Sequence, residues 1–224
     1  EVNLYSYRQP FLINQFLNQF TKQTGIKVNV VYAKKGMLER IKAEGRNTPA
    51  DAVLTVDISR LSALADADLL QPVSSPILHE NIPPQYRHPD GLWFGLTLRA
   101  RVVYAHKKRV QDDEIMTYGN LTKPRFKGKI CTRSGKHAYN LSLLAAFVDE
   151  KGEKAAEDWA RGLKSNLARR PKGNDRAQVK AIKEGLCDVS LGNTYYLGKM
   201  ETNEKNPEQK EWANSVRLMF PKLG

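Results

Sequence analysis

The residues with the clearest capacity for chemistry are two adjacent tyrosines, Tyr195 and Tyr196, in the segment SLGNTYYLGKM. They follow CDVSL, whose pattern predicts a buried strand. Asn193 or Thr194 could cap a helix that begins with the two tyrosines. Consecutive helical residues lie about 100° apart, so both phenols could converge on something beyond the helix end. In a strand they would point to opposite faces. Because a tyrosine pair serves more often in packing than in binding, the pair alone does not decide between the two.

Two further strand-to-helix junctions carry groups that suit an anion. RSGKHAYNLSLL follows a predicted strand and places Tyr139 at the head of an apolar helix, and RPKGNDRAQVKAI offers Asn174 or Asp175 as a helix cap. Helix N-termini present unpaired N–H groups that favour negative charge, so three such ends facing one cleft predict an anion site. Phenol oxygens beside that anion predict a hard trivalent cation bound together with it.

Motifs of the common enzyme classes are absent from the sequence. There is no nucleophile elbow, phosphate-binding loop, dinucleotide-binding glycine motif or zinc-protease motif. The histidines His79, His88, His106 and His137 are scattered, and each is more often a surface or structural residue than a catalytic base. The sequence therefore favours a binding protein and predicts no enzyme activity.

The composition is that of an ordinary globular protein with a strong positive charge. The chain has 224 residues, 41% hydrophobic and 27% charged, with a formal net charge of +12. Lysine and arginine are dispersed and no nucleic-acid-binding motif is present, so the charge suits an anionic ligand or surface better than a nucleic acid. No apolar run approaches the roughly 20 residues that a membrane span needs, so no stable membrane insertion is expected.

Hydrophobic periodicity predicts an α/β protein in two halves. The chain opens as strand, helix and strand, with VNLYSY and IKVNVVY flanking a helix that ends at Gly25, which predicts a parallel strand pair. Further helices are predicted over residues 37–44, 59–64, 139–149, 153–164 and 175–185. The long alternating run over residues 91–108 predicts a strand that leads from one half to the other. Ligands in such folds bind beyond the carboxyl ends of strands, where Tyr195 and Tyr196 stand.

The two cysteines, Cys131 and Cys187, have no neighbour at metal-binding spacing. They fit either two buried thiols or one disulfide, which would require an oxidising compartment. The residues by themselves leave both readings open.

Six segments together resemble the bacterial periplasmic ferric-ion-binding proteins, the solute-binding components of Fe(III) ABC importers. They are NLYSYRQP, TGIKVNVVYAKKG, ADAVLTVD, WFGLTLRARVV, KGKICTRSGKHAYN and GNDRAQVKAIKEGLCDVSLGNTYYLGKM. The resemblance runs through essentially the whole chain. It implies the α/β periplasmic-binding-protein fold, with two lobes, each a central β-sheet flanked by helices, and a cleft between them. Residues 1–98 would form the N-terminal lobe and residues 99–224 the C-terminal lobe. Because the family normally continues further, we expect a chain truncated at its C-terminus and a first lobe incomplete without a later segment.

The resemblance also implies a set of site residues. Tyr139, Tyr195 and Tyr196 match the phenolate ligands of Fe(III), and Arg101 matches the arginine that holds a synergistic anion, commonly carbonate. Positions that contact this anion in relatives are matched by Ser134, Gly135, Asn174 and Asn193. A cysteine pair found in some members implies a Cys131–Cys187 disulfide.

The first lobe departs from the pattern of its relatives. Some relatives take a histidine or tyrosine ligand from the first loop, where this chain has Gln9 and Pro10, and others place a glutamate where this chain has Asp57. We therefore expect no strong ligand from these positions. Tyr5 alternates with residues that face the core and is expected to be structural.

The function implied by the resemblance is capture of Fe(III) with phenolates and a synergistic anion, and delivery to an inner-membrane ABC permease. The protein would be a periplasmic monomer that binds no nucleic acid. The chemistry is consistent, because Fe(III) is a hard cation that prefers anionic oxygen, and three phenolates balance its three charges. The alternative that stays open is a carrier of a small anion without metal.

Overall fold

The computed structural model describes residues 1–223 and divides the chain into two compact units, Glu1–Thr97 and Leu98–Gly224. Each unit has its own β-sheet; the first contains one cluster of buried apolar side chains and the second contains two. The predicted α/β class is confirmed. None of the helices described for residues 1–223 has the length and apolar character that a bilayer crossing requires.

The first unit is a three-stranded parallel sheet with helices in its connections. Its elements are β1 (Val2–Ser6), α1 (Asn14–Thr24), β2 (Val28–Tyr32), α2 (Met37–Glu44), β3 (Ala52–Leu54), α3 (Ile58–Ala65) and α4 (Pro76–Asn81). The strand order is β2–β1–β3, so the predicted parallel pair at the start of the chain is confirmed. Helix α1 ends at Gly25 with φ of 72°, a left-handed conformation that glycine adopts without a Cβ clash.

The core of the first unit includes Tyr5, Met37, Ile41 and Leu64. Tyr5 is fully buried, and its hydroxyl donates to the Glu44 carboxylate at 2.8 Å. Burial and this carboxylate together raise the pKa of Tyr5. The phenol of Tyr5 is therefore committed to packing within the first unit.

The second unit is a mixed four-stranded sheet. Its elements are β4 (Arg101–His106), β5 (Ile130–Cys131), α5 (Ala138–Lys151), α6 (Glu153–Ser165), α7 (Asp175–Lys183), β6 (Val189–Asn193), α8 (Tyr195–Glu201), α9 (Glu208–Asn214) and β7 (Val216–Met219). The strand order is β5–β6–β4–β7, with β5 and β6 parallel and β4 antiparallel to both of its neighbours.

Side chains of β4 alternate between two apolar clusters, one on each face of this sheet. Val103 and Ala105 belong to the cluster that contains Trp159, whereas Val102 and Tyr104 belong to the opposite cluster. Burial of both faces makes β4 a central strand and fixes its register, because a one-residue slip would exchange the two faces.

The long strand predicted over residues 91–108 is wrong in its first half. Strand β4 begins at Arg101, and Leu96 and Leu98 are 68% and 70% exposed. Alternation indicates which residues share a face, but a strand also needs a partner for its N–H and C=O groups. Within residues 1–223, the stretch before β4 forms a single isolated β-bridge, between Phe94 and Arg87, and no continuous ladder with another strand.

A disulfide joins Cys131 at the end of β5 to Cys187, with the two Cα atoms 5.9 Å apart. Cys187 lies two residues before β6, so the bond ties together the chain segments of two neighbouring parallel strands. The disulfide that the resemblance implied is therefore present.

Candidate functional site

The tyrosines are brought together by the parallel pair β5 and β6. Both strands run in the same direction, so the chain leaves them at the same edge of the sheet. Helix α5, after β5, carries Tyr139 in its first turn, and α8 begins at Tyr195 directly after β6. A hydrogen bond of 3.2 Å joins the hydroxyls of Tyr139 and Tyr195. The rings of Tyr195 and Tyr196 lie 4.4 Å apart between centroids, so the three phenols form one cluster.

Two of these phenols are held in their neutral form. Burial raises the pKa of Tyr139 to about 12, and the hydrogen bond with Tyr195 adds to the effect. Burial likewise raises the pKa of Tyr195. A bound cation can displace such protons, as metals do at coordinated water and thiols, and the cluster would then present anionic oxygens.

Three guanidinium groups surround the ring of Tyr139. The central guanidinium carbons of Arg99, Arg133 and Arg101 lie 4.6, 5.2 and 5.9 Å from the ring centroid. The imidazole of His137 packs edge-on to the same ring at 4.6 Å, and its Nδ1 accepts from the backbone N–H of Tyr139. The tyrosine is thus fixed in a strongly cationic environment.

Sequence reasoning missed Arg99 and Arg133. Arg99 and Arg101 stand two residues apart in an alternating segment, which places them on one face. Arg133 comes two residues after β5, beyond the carboxyl end of a strand, where ligands bind in such folds. Both signals were present in the sequence.

Arg101 opens β4 opposite Asn193, the last residue of β6. Its Nη1 donates to Asp175 Oδ1 at 2.5 Å and to Asn193 Oδ1 at 3.1 Å. Its Nη2 donates to Asn140 Oδ1 at 2.6 Å and to the Leu191 carbonyl at 3.3 Å. The side chain is 9% exposed, and its Nε has no hydrogen-bond partner among residues 1–223. The terminal nitrogens of Arg101 are therefore occupied by protein oxygens.

Asp175 is a fully buried carboxylate shared by two arginines. Its Oδ1 accepts from Arg101, and its Oδ2 accepts from Nη1 of Arg133 at 2.5 Å. It is the first residue of α7, where the helix dipole also favours a negative charge. The preceding Asn174 caps α7 by accepting from the N–H of Ala177 at 3.0 Å.

The other predicted anion contacts stand in different settings. Asn193 is buried, and its Nδ2 lies 3.4 Å from the Tyr195 hydroxyl, while Thr194 makes no side-chain cap to α8. Ser134 and Gly135 are exposed in the turn between β5 and α5, where Ser134 Oγ accepts from the N–H of Lys136. Asn193 thus lies against Tyr195, whereas the turn with Ser134 and Gly135 is exposed to solvent.

The first-unit candidates have local roles within that unit. Gln9 is exposed before a 3₁₀ turn at Pro10–Leu12, and Asp57 is a buried cap of α3 that accepts from the N–H of Ser59. The helix predicted over residues 59–64 thus begins one residue earlier, at Ile58, and Asp57 caps it. Throughout residues 1–223, no three histidine, cysteine, aspartate or glutamate side chains group closely enough to hold a metal ion.

Comparison with known proteins places the chain among solute-binding proteins. Residues 47–224 match the model of the family described as bacterial extracellular solute-binding protein. The chain is 46% identical to iron uptake protein A1 of Synechocystis sp. over 222 residues, covering 99% of this chain and 61% of that protein. It is 40% identical to iron uptake protein A2 of the same organism, covering 63% of that protein. The chain therefore spans somewhat over three fifths of the length of these relatives.

Solved structures of similar proteins share the fold. Ferric iron-binding protein A of Mannheimia haemolytica, in an open conformation, superposes with a TM-score of 0.92 at 52% identity, covering 99% of this chain and 69% of that one. The Trichodesmium protein IdiA (FutA), solved with iron and citrate, gives a TM-score of 0.93 at 44% identity, covering 98% and 70%. The names of these relatives are those of binding and uptake proteins. The chain belongs to the family of bacterial extracellular solute-binding proteins, and it is similar within that family to proteins named for iron uptake and ferric-iron binding.

Proposed function

We propose that this protein binds Fe(III) through the phenolates of Tyr139, Tyr195 and Tyr196. The observation that carries the proposal is the phenol cluster itself, in which Tyr195 contacts both of the other tyrosines. Fe(III) is small and hard, and it prefers anionic oxygen to sulfur or imidazole. The Trichodesmium relative was solved with iron and citrate, which supports the same cargo here.

A synergistic anion, carbonate by preference, would complete the site. Three phenolates neutralise the three charges of Fe(III), and Arg101 and Arg133 share the single carboxylate of Asp175 beside Tyr139. The net positive charge of these two arginines with Asp175 would attract an anion such as carbonate. Ser134 and Gly135 are exposed and therefore accessible to an anion, whereas an anion held by Arg101 would have to replace one of the protein oxygens that its guanidinium now binds. Asn174 and Asn193 are the remaining proposed contacts. Citrate, present in the Trichodesmium structure, is the competing anion.

The proposed cellular role is carriage of Fe(III) through the periplasm to an inner-membrane ABC permease. It rests on membership of a family of extracellular solute-binding proteins. A Serratia marcescens relative that is 29% identical is named as an Fe(3+)-binding periplasmic protein. A disulfide within the second unit fits an oxidising compartment such as the periplasm. We expect the carrier to act as a monomer.

The test is a visible spectrum of protein loaded with ferric citrate in bicarbonate buffer. Phenolate-to-iron(III) charge transfer should give a coloured 1:1 complex. Replacing both adjacent tyrosines, Tyr195→Phe with Tyr196→Phe, should abolish most of the band and of the bound iron. Tyr5→Phe is the matched control, since Tyr5 is buried in the first unit on Glu44. Stoichiometric iron with an unaltered band in the double variant would refute the proposal.

A second candidate function is carriage of a small anion without metal. The three guanidiniums around Tyr139 favour it, because they would attract an anion whether or not the phenols were ionised. The two functions can be distinguished by visible absorbance, because only the iron complex would have a phenolate–iron(III) band. A protein that binds bicarbonate or citrate by calorimetry and stays colourless with ferric citrate would be the anion carrier.

A further inference from the structure

Asp175 forms a buried ion-pair cluster with two arginines that lie near the phenols, and the proposed function assigns this carboxylate no role. Asp175 is fully buried and accepts from two arginines on different elements, Arg101 at the start of β4 and Arg133 after β5. Both arginines also face the ring of Tyr139, at 5.9 and 5.2 Å. One carboxylate on α7 therefore links two of the three cations that lie around Tyr139.

The packing around Asp175 makes this arrangement specific. Gly192 of β6 lies beneath it, and a Cβ at Gly192 would stand 3.5 Å from Asp175 Oδ1 and would overlap the ring of Tyr104. The absence of a side chain at Gly192 therefore leaves room for the Tyr104 ring next to the carboxylate. Two buried guanidiniums without this acceptor would repel each other, and each would lose a charge-assisted hydrogen bond.

We propose that Asp175 is a positioning residue for iron binding, which acts by fixing Arg101 and Arg133 against Tyr139. This deepens the proposed function and rests on it. Asp175 makes no contact with iron in this scheme. It holds the two guanidiniums on one side of the phenol cluster, where they orient Tyr139 and leave its hydroxyl edge, bonded to Tyr195, for the metal. It also lowers the surplus positive charge that a ferric ion would otherwise meet.

The chain supplies a matched control in Asp188, which lies immediately before β6. Asp188 is 5% exposed and accepts from Arg109 at 2.6 Å and from Lys129 at 3.0 Å. Asp188 precedes the first residue of β6, and Asn193 is the last residue of that strand. Roughly 17 Å of strand therefore separates Asp188 from Asn193, which lies at the end of β6 nearest the phenols. Asp188→Asn makes the same change of charge in a similar ion-pair cluster that has no part in the site.

The experiment compares Asp175→Asn with Asp188→Asn by thermal unfolding and by loading with ferric citrate in bicarbonate. Both variants should unfold at lower temperature. Asp175→Asn alone should shift the wavelength of the phenolate–iron band and weaken iron binding by about 10- to 100-fold, as changes beside metal ligands do. A band and an iron affinity equal to those of Asp188→Asn would overturn the proposal.

Two further measurements keep the outcome decisive. If Asp175→Asn does not fold, Arg133→Lys is the second variant, because it keeps the charge but removes the guanidinium. It should shift the band in the same sense by a smaller amount, and an unshifted band contradicts the proposal.

If the unmodified protein binds no iron, the proposed function fails on its own. Crystal structures of the metal-free protein and its Asp175→Asn variant then test the positioning role, which predicts that Arg101 and Arg133 move away from Tyr139. Unmoved guanidiniums would reject it.

Discussion

Tyr139 is the residue on which the interactions of the site converge. It shares a hydrogen bond with Tyr195, faces three guanidiniums and receives His137 against its ring. Burial favours the neutral phenol, whereas the nearby cations favour the phenolate, and burial prevails because the pKa of Tyr139 rises to about 12. The metal-free residue therefore keeps its proton at any physiological pH and must release it to bind a metal.

This proton exchange predicts that acid weakens iron binding. Tyr139 and Tyr195 have raised pKa values, so each is protonated in the metal-free protein and deprotonated in the complex. Each displaced proton lowers the apparent iron affinity about tenfold for each unit by which the pH falls. The two protons together therefore lower the affinity by at least about 100-fold per pH unit. Competition against citrate from about pH 8 to about pH 6 would measure this slope.

Tyr5 provides the control for the pH dependence of iron binding. Tyr5→Phe should leave the slope unchanged, because the Tyr5 hydroxyl is bonded to Glu44 in the first unit. Iron loading should also acidify a weakly buffered solution. An affinity that does not vary with pH would mean that the phenols do not bind as phenolates.

At the scale of the elements, the site is a property of two parallel strands and the helices that follow them. Strands β5 and β6 leave the sheet at one edge, and helices α5 and α8 begin there with the tyrosines. The disulfide lies within this arrangement, since Cys131 ends β5 and Cys187 precedes β6. Both sulfur-bearing residues are buried, at 0% and 2% exposure.

We expect this disulfide to contribute substantially to stability. The two cysteines are 56 residues apart, and closing a loop of that length stabilises the protein by about 4 kcal/mol on the chain-entropy model. The double variant Cys131→Ala, Cys187→Ala should lower the free energy of unfolding by about this amount in urea titrations. A reducing agent should destabilise the unmodified protein and leave the variant unaffected. Two titratable thiols in the denatured, unreduced protein would show that the bond does not form.

Local patterns in the sequence were sufficient to predict the junctions that carry the phenols. A buried strand followed by a helix start is a short-range signal, and it located Tyr139, Tyr195 and Tyr196; their role as iron ligands stays a prediction. The Asp175 bridge could not be predicted in this way, because its partners Arg101 and Arg133 are 74 and 42 residues distant in sequence. Such pairs depend on how strands assemble, and charge alone does not show which carboxylate meets which arginine.

At the scale of the whole molecule, each of the two units has its own sheet and core, and the residues proposed to bind iron and anion all lie in Leu98–Gly224. The chain has a formal net charge of +12, and it spans about 61% of the length of iron uptake protein A1. Binding of a cation by so positive a protein requires that the cation's charge be cancelled where it binds.

Charge balance gives a prediction for the molecule as a whole. Fe(III) that replaces three phenol protons leaves the net charge unchanged, whereas a divalent carbonate lowers it by about two elementary charges. Native isoelectric focusing should therefore show a lower isoelectric point for protein loaded in bicarbonate than for metal-free protein. Loading with citrate as the bound anion should shift it further. An unchanged isoelectric point after loading in bicarbonate would argue against a bound anion.

The pairing of Arg101 with Asn193 in the β4–β6 ladder has a consequence for how such chains can diverge. Asn193, two residues before Tyr195, binds the arginine with its oxygen and lies against the tyrosine hydroxyl with its nitrogen. Side chains alternate along a strand, so one codon inserted or deleted within β6 would rotate this asparagine to the far face of the sheet. Substitutions on the outer surfaces of the helices carry no such penalty. Gene lineages of this type should therefore accumulate point changes freely on those surfaces while keeping the length of the segment from Cys187 to Tyr195 constant.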